Sequence, residues 1–452
     1  SNGTILLHKR ITTIPLVVMH MYALGGLTAE DAKTNGIGHL TMNLLPRGTA
    51  TRSAQQIAEF FDSIGGDLNT SSGNNSWVWT ATTMKEDIEK AMDVYADVVQ
   101  NPSFPDDEIA PMKKRIAAAI AGQDADWTSQ AFRFFKKTYF GPQNSPYQFV
   151  GIGTTENVNA FTREQLQQWY RDKVLAGRRV ISIFGDIELD TARSLAEAKL
   201  GKLPEARGKA TPPPQNATIP AAPEGGTPQV VIERVETLKT EQPLAGVVIG
   251  YRADSVIGDP ANFPIAVADT MTSGFGYPTG YLHETLRGRG LVYVVHAVNQ
   301  AGVSPKLPGT FLAYAGCDPS RVNEVVDLML EGIARLQGTA QDMDQSWFVR
   351  SKQLAVTTDA MENETPAEQA TTAALDELYG LGYDYHDQFG KRVNAVSIDQ
   401  VRGVAKQRLM KCVITVSTPK PELLKAKPET RTYEKFHPVD LTPKAEERAA
   451  PQ

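Results

Sequence analysis

The sequence predicts an α+β protein built from two homologous domains, each a mostly antiparallel sheet covered by helices. Three observations carry that prediction. Matching segments recur at nearly one distance: Gln165 and Gln400, in Phe161–Leu166 and Val396–Val401, lie 235 residues apart, and Asp93 and Asp327, in Ala91–Tyr95 and Val325–Met329, lie 234 apart. Near-equal offsets on separate segments argue for duplication. Between the copies, residues 204–229 read PEARGKATPPPQNATIPAAPEGGTPQ. Such Pro-, Gly- and Ala-rich composition builds no core and reads as a linker, partly extended through Pro212-Pro213-Pro214. In each half, strand-like segments precede long amphipathic helical ones. A chain of 452 residues also exceeds what one core usually fills.

The expected divisions are an N-terminal domain over 1–203, the linker over 204–229, a C-terminal domain over 230–440 and a polar tail over 441–452. The first half opens with extended segments at Ile14–Tyr22 and Trp77–Thr82, where Trp77 and Trp79 fall on one face of an alternating strand. Amphipathic helices follow over Ser53–Ile64 and Lys85–Gln100. The half closes with a helix that Thr162 caps and a strand at Val180–Ile183. The second half repeats the order, with strands at Gln229–Val235 and Ala245–Arg252. Its helix over Pro319–Leu336 is opened by Asp318-Pro319. A helix capped by Ser397 and a strand at Val413–Val416 close it. Cys412 sits beside that strand as a small buried hydrophobe, and with Cys317 it makes no disulfide framework.

Composition narrows the function. The 41% hydrophobic and 22% charged content is that of a globular domain protein. A net charge of −6 offers no basic footprint for nucleic acid. No apolar run approaches the roughly 18 residues of a membrane span. The start, Ser1-Asn2-Gly3, reads as a trimmed end, so a signal peptide can have been lost from view. Low cysteine use fits a bacterial cytoplasm or periplasm equally.

Chemistry concentrates first in Gly38–Arg52, GHLTMNLLPRGTATR. His39 and Asn43 are four apart and share a helix face, a spacing that clamps one metal when both residues are imidazoles. An amide oxygen is a poor zinc ligand by comparison, and Met42 between them cannot take a proton from a metal-bound water. This run resembles the zinc helix of the insulinase/pitrilysin metallopeptidases, the inverzincins, whose signature is His-x-x-Glu-His. His39 holds the first ligand position, Met42 stands in place of the general-base glutamate, and Asn43 stands in place of the second histidine. The following Leu45-Pro46-Arg47-Gly48-Thr49 keeps the family frame. The resemblance also implies a third ligand, a glutamate, whose position falls on Ile120 in the acid-free run Arg115–Gly122. No zinc or other cofactor is therefore expected in this chain.

A second constellation lies in Tyr281–Ala297, YLHETLRGRGLVYVVHA. It resembles the family's L-R-x-x-x-G-L-x-Y segment through Leu286, Arg287, Gly290, Leu291 and Tyr293. The resemblance implies that the arginine and tyrosine reach the zinc site, grip the substrate backbone and polarise the scissile carbonyl. A guanidinium and a phenol are suitable donors to an oxygen gaining charge. Arg287 and Tyr293 are six residues apart where the family has seven, which leaves Arg289 as a competing arginine. Gly65–Thr70 matches the family segment whose strand edge adds a substrate peptide, naming Gly66 and Asn69 as substrate-binding positions. Asn74-Asn75 reads as a turn. Ser273–Pro278 lacks the Gly-Lys-Ser/Thr ending of a phosphate loop and reads as a loop leading into a helix.

The resemblance implies a catalytically degenerate subunit, inactive alone. It would pair with a zinc-bearing homologous subunit, separate or fused, and supply Arg287 and Tyr293 in trans to form a working peptidase. Two other readings stand beside it. One is a structural relic used for assembly, like the peptidase-derived core subunits of respiratory complexes. The other is a homodimeric, chaperone-like peptide-binding protein.

Overall fold

The computed structural model describes residues 2–208, 226–338 and 344–433; of the expected linker, residues 209–225 lie outside the described residues, as does the expected tail 441–452. Two sheets organise the chain. The first contains β1 (Ile5–Arg10), β2 (Leu16–Leu24), β3 (Asp67–Ser72), β4 (Ser76–Met84) and β5 (Arg179–Gly185), in the order β1-β5-β2-β4-β3. The second contains β6 (Gln229–Lys239), β7 (Ala245–Ser255), β8 (Val292–Gln300), β9 (Gly309–Cys317), β10 (Lys411–Thr418) and β11 (Thr430–Thr432), in the order β11-β6-β10-β7-β9-β8. Apart from the short β11, the orders are the same: β1 answers to β6, β2 to β7, β3 to β8, β4 to β9 and β5 to β10. In each sheet the first strand pairs parallel with the last, and the remaining pairs of this common set are antiparallel. The duplication read from two short sequence matches is thus a duplication of topology.

Helices cover the sheets. The first half carries α1 (Ile37–Leu44), α2 (Ala54–Ser63), α3 (Ile88–Gln100), α4 (Asp106–Asp124), α5 (Trp127–Phe140), α6 (Thr155–Ala160), α7 (Arg163–Trp169) and α8 (Leu189–Leu200). The second carries α9 (Asn262–Ser273), α10 (Val322–Arg335), α11 (Gln345–Met361), α12 (Pro366–Leu378), α13 (Phe389–Ala395) and α14 (Ile398–Gln407). Thr162 and Ser397 cap α7 and α14, each in a reciprocal capping box with a glutamine three residues on. The expected helix over Pro319–Leu336 begins as a 3₁₀ turn at Pro319–Arg321, where proline tightens the first turn, and continues as α10. Trp77 and Trp79 both turn into the core, as their alternation requires.

Sequence periodicity did not show that the halves exchange a helix. The helix α5 belongs to the first half by chain order but packs on β7 and β10 of the second sheet. Glycines on that sheet admit its large side chains. A Cβ on Gly250 would lie 2.4 Å from Phe135, and one on Gly316 would lie 2.3 Å from Trp127. Conversely, α12 packs on β2 and β5 of the first sheet. Its Thr371 hydroxyl accepts from Tyr22 Oη at 3.0 Å, its Ala370 carbonyl accepts from Ser182 Oγ at 2.9 Å, and Glu377 pairs with Arg178 at 2.8 Å. No helix among the described residues is long and apolar enough to cross a membrane.

Candidate functional site

The helix α1 is set by its surroundings more than by its own sequence. It starts after Gly36, whose left-handed φ of 97° lets the chain turn into the first helical residue. Gly36 has no side chain to cap the helix, so the cap comes from upstream. Buried Glu30 accepts from the Gly36 amide at 2.9 Å, the Gly38 amide at 3.0 Å and Asn35 Nδ2 at 3.1 Å. A carboxylate here satisfies otherwise orphaned donors at the positive end of the helix. Burial nevertheless pushes its pKa up to about 7, against the lowering effect of those hydrogen bonds. Sequence reasoning missed Glu30, since no cap sits at the usual position and the loop path decides which acid arrives.

The metal-helix residues occupy the expected face but make no metal site. His39 is half-buried, and burial lowers its pKa. The Asn43 amide nitrogen donates to the His39 carbonyl at 2.8 Å and lies 3.4 Å from His39 Nε2. The Asn43 side chain is therefore folded back onto its own helix. Met42 is fully buried in the first-half core, and its carbonyl accepts the Thr70 hydroxyl at 2.6 Å, tying α1 to β3. Ile120, on α4, is buried in that same core. With one imidazole, one amide and two apolar side chains, these positions do not fit a zinc ion. Among the described residues, no group of three or more His, Cys, Asp or Glu side chains gathers to hold a metal.

The substrate-edge positions lie beside this helix. Asn43, Gly66 and Asn69 line one pocket of about 360 Å³, together with Arg47, Phe61 and Thr70. Here β3 is the outer strand of its sheet, so among the described residues its far edge is unpaired. Gly66 has a local reason, because a Cβ there would lie 2.5 Å from the Thr82 carbonyl. Asn74-Asn75 lies in the β3–β4 hairpin connection, as read.

Arg287 and Tyr293 are presented from the second sheet. Arg287 ends a π-helical turn, His283–Arg287, between buried Leu286 and the left-handed Gly290 at φ 67°. Tyr293 follows on β8 where the register with β9 slips between Val292 and Val294. A bulge re-aims a strand side chain, and Tyr293 is 66% exposed despite its apolar ring. Arg287 and Arg289 are both exposed. Among the described residues, no side-chain hydrogen bond or ion pair holds Arg287 or Tyr293, and none joins them to the α1 cluster. The Ser273–Pro278 loop terminates α9, with Gly274 left-handed at its C-cap, and also leads into the helical turn after Gly280. Sequence reading also passed over His283, whose two ring nitrogens are buried without hydrogen-bond partners, 6.1 Å ring to ring from His296.

A duplicated helix-covered sheet, with α1 carrying a histidine and an asparagine four residues apart, defines a two-domain metallopeptidase fold. Family comparison gives it a place. Residues 10–148 match the insulinase (peptidase family M16) model, and residues 160–354 match the model of the M16 inactive domain. The chain belongs to the M16 peptidase family. An uncharacterised zinc protease of Mycobacterium leprae is 27% identical over 313 residues, covering 69% of this chain and 67% of that protein. The uncharacterised zinc protease YmxG of Bacillus subtilis is 24% identical, covering 90% and 93%. Among solved structures, a peptidase M16 inactive domain from Pseudomonas fluorescens superposes with a TM-score of 0.80 at 19% identity, covering 95% of this chain and 98% of that one.

Proposed function

We propose that this chain is the non-metal subunit of a two-subunit M16 peptidase, donating Arg287 and Tyr293 to the zinc site of a homologous partner. The observation that carries the reading is Tyr293: a large ring held out at a bulge, on an outer strand, next to an exposed arginine. Exposing an aromatic ring forfeits burial worth about 2 kcal/mol, so its retention there points to contact with something outside the chain. The missing ligands at Met42, Asn43 and Ile120 support a division of labour in which metal and general base come from the partner. The relatives called zinc proteases support the chemical class of that partner. On this reading the phenol and guanidinium donate to the scissile carbonyl as it gains charge, and the β3 edge beside Gly66 and Asn69 guides extended peptide. This chain, with its N-terminal domain over 1–203 and C-terminal domain over 230–440, and the partner subunit would close around a chamber that holds the peptide.

Reconstitution tests it. Mixed with a zinc-bearing M16 partner, the chain should confer cleavage of unstructured peptides that neither subunit shows alone. Tyr293→Phe should lower turnover by ~10²–10³-fold with the subunits still associated, and Arg287→Ala should also raise KM. Wild-type kinetics in both variants would leave an assembly role as the better account. A silent Arg287 with an essential Arg289 would move the arginine's role by two residues.

A further inference from the structure

The duplication gives the α1–β3 crevice a counterpart. In the second half, α9 follows β7 as α1 follows β2, and β8 is the outer strand as β3 is. Between α9 and β8 lies a pocket of about 400 Å³ that the proposed pairing does not use. Its lining residues include no lysine or arginine. Asp269 comes from α9 and is 3% exposed. Its Oδ1 accepts the Ser273 hydroxyl at 2.8 Å, and no hydrogen bond among the described residues takes Oδ2. Glu362, just past the end of α11, contributes a second carboxylate, its Oε1 3.9 Å from where a Cβ on Gly276 would stand.

The remaining lining is suited to one kind of guest. Asn262 accepts from Ser255 and from Asn299 Nδ2, which leaves the Asn299 carbonyl oxygen buried and without a donor. Burial lowers the pKa of His296, so a neutral imidazole faces the space and repels no cation. The ring of Phe275 stacks on that of Phe389 at 6.3 Å and 22°. Phe275 is held there in left-handed backbone, φ 50°, between Gly274 and Gly276, which are also left-handed. Acceptors from α9, β8 and the end of α11, with two aromatic rings in the same lining, match a planar or compact cation.

We propose that the α9–β8 pocket binds an organic cation with a guanidinium or primary-amine head, held by Asp269 and Glu362 and flanked by Phe275 and Phe389. Burial pushes Asp269 up to about 7, and an arriving cation would stabilise its ionised form. The site does not depend on the subunit pairing. Calorimetric titration of the full chain at low salt tests it with three probes: agmatine, the capped peptide acetyl-Gly-Arg-Gly-amide, and acetyl-Gly-citrulline-Gly-amide, the neutral isostere of that peptide. Saturable binding of either cation, at least about 10-fold weaker for the neutral probe and about 10-fold weaker in Glu362→Gln and Asp269→Asn, supports the site. Tighter agmatine assigns a free amine as the guest, and tighter peptide assigns a peptide-borne guanidinium. Glu362 is exposed, so Glu362→Gln decides even where Asp269→Asn does not fold. Equal binding of the neutral probe, no saturable binding of either cation, or unchanged affinity in Glu362→Gln would overturn the proposal.

Discussion

At the start of α1, single side chains settle what the helix can do. Glu30 serves three donors, two of them the orphan amides of the helix entrance. Glu30→Ala leaves those buried donors without an acceptor and should destabilise the chain by about 1–3 kcal/mol. The pH dependence follows from the raised pKa. The unfolded carboxyl loses its proton near 4.5 and the folded one near 7, so the folded state binds more protons in that window. Its contribution to stability is full below pH 4.5 and declines as pH rises through about 7. The difference in thermal or denaturant stability between wild type and Glu30→Ala should therefore be largest near pH 5 and smaller at pH 8. A difference that stays constant across that range would show that Glu30 remains ionised in the fold. The residue types at His39, Met42, Asn43 and Ile120 were legible in the sequence, because which side chain stands at a position needs no fold to state. Glu30 was not, because a cap six residues upstream is delivered by a loop whose path the sequence pattern does not state.

Among the elements, α5 and α12 decide how the halves hold together. Aromatic side chains of α5 enter the second sheet where β7 and β9 carry glycine, and Tyr139 Oη donates to the Tyr251 carbonyl at 3.0 Å. Gly250→Ala puts a methyl group 2.4 Å from the Phe135 ring. This overpacking should cost about 1–3 kcal/mol. Shrinking the ring with Phe135→Leu should recover part of the loss, so the two substitutions combined should cost less than their sum. Strict additivity in a denaturation double-mutant cycle would mean that α5 does not bear on Gly250. Neither partner choice was visible beforehand. Helical periodicity tells which face of α5 is apolar, and the glycines on β7 read as weakened strand positions until the opposing helix is known. The strands that were read, including Ala245–Arg252 and Val413–Val416, showed themselves through local pattern alone.

For the whole molecule, the reciprocal helices bear on the linker. Composition makes 204–229 the first place for a protease to cut, since Pro-, Gly- and Ala-rich sequence of this kind is a readier substrate than a helix. Limited proteolysis should nick there before it touches α3. The two fragments should then co-elute on size exclusion, because α5 stays on the second sheet and α12 on the first. First cuts inside α3 would displace the domain boundary, and separation of the nicked fragments would show the exchanged helices to be weak. Composition, spacing and periodicity already specify the duplicated α+β architecture, the capped helices α7 and α14, and the residue types that stand at His39, Met42, Asn43 and Ile120. Each of these is written in residue type, spacing or periodicity, all local along the chain. The folded chain adds that the halves trade a helix, that Glu30 caps α1, that a bulge turns Tyr293 outward, and that α9 and β8 enclose an acidic pocket. Those features arise where segments far apart in sequence meet, and their geometry depends on steric fit and burial that no single segment carries.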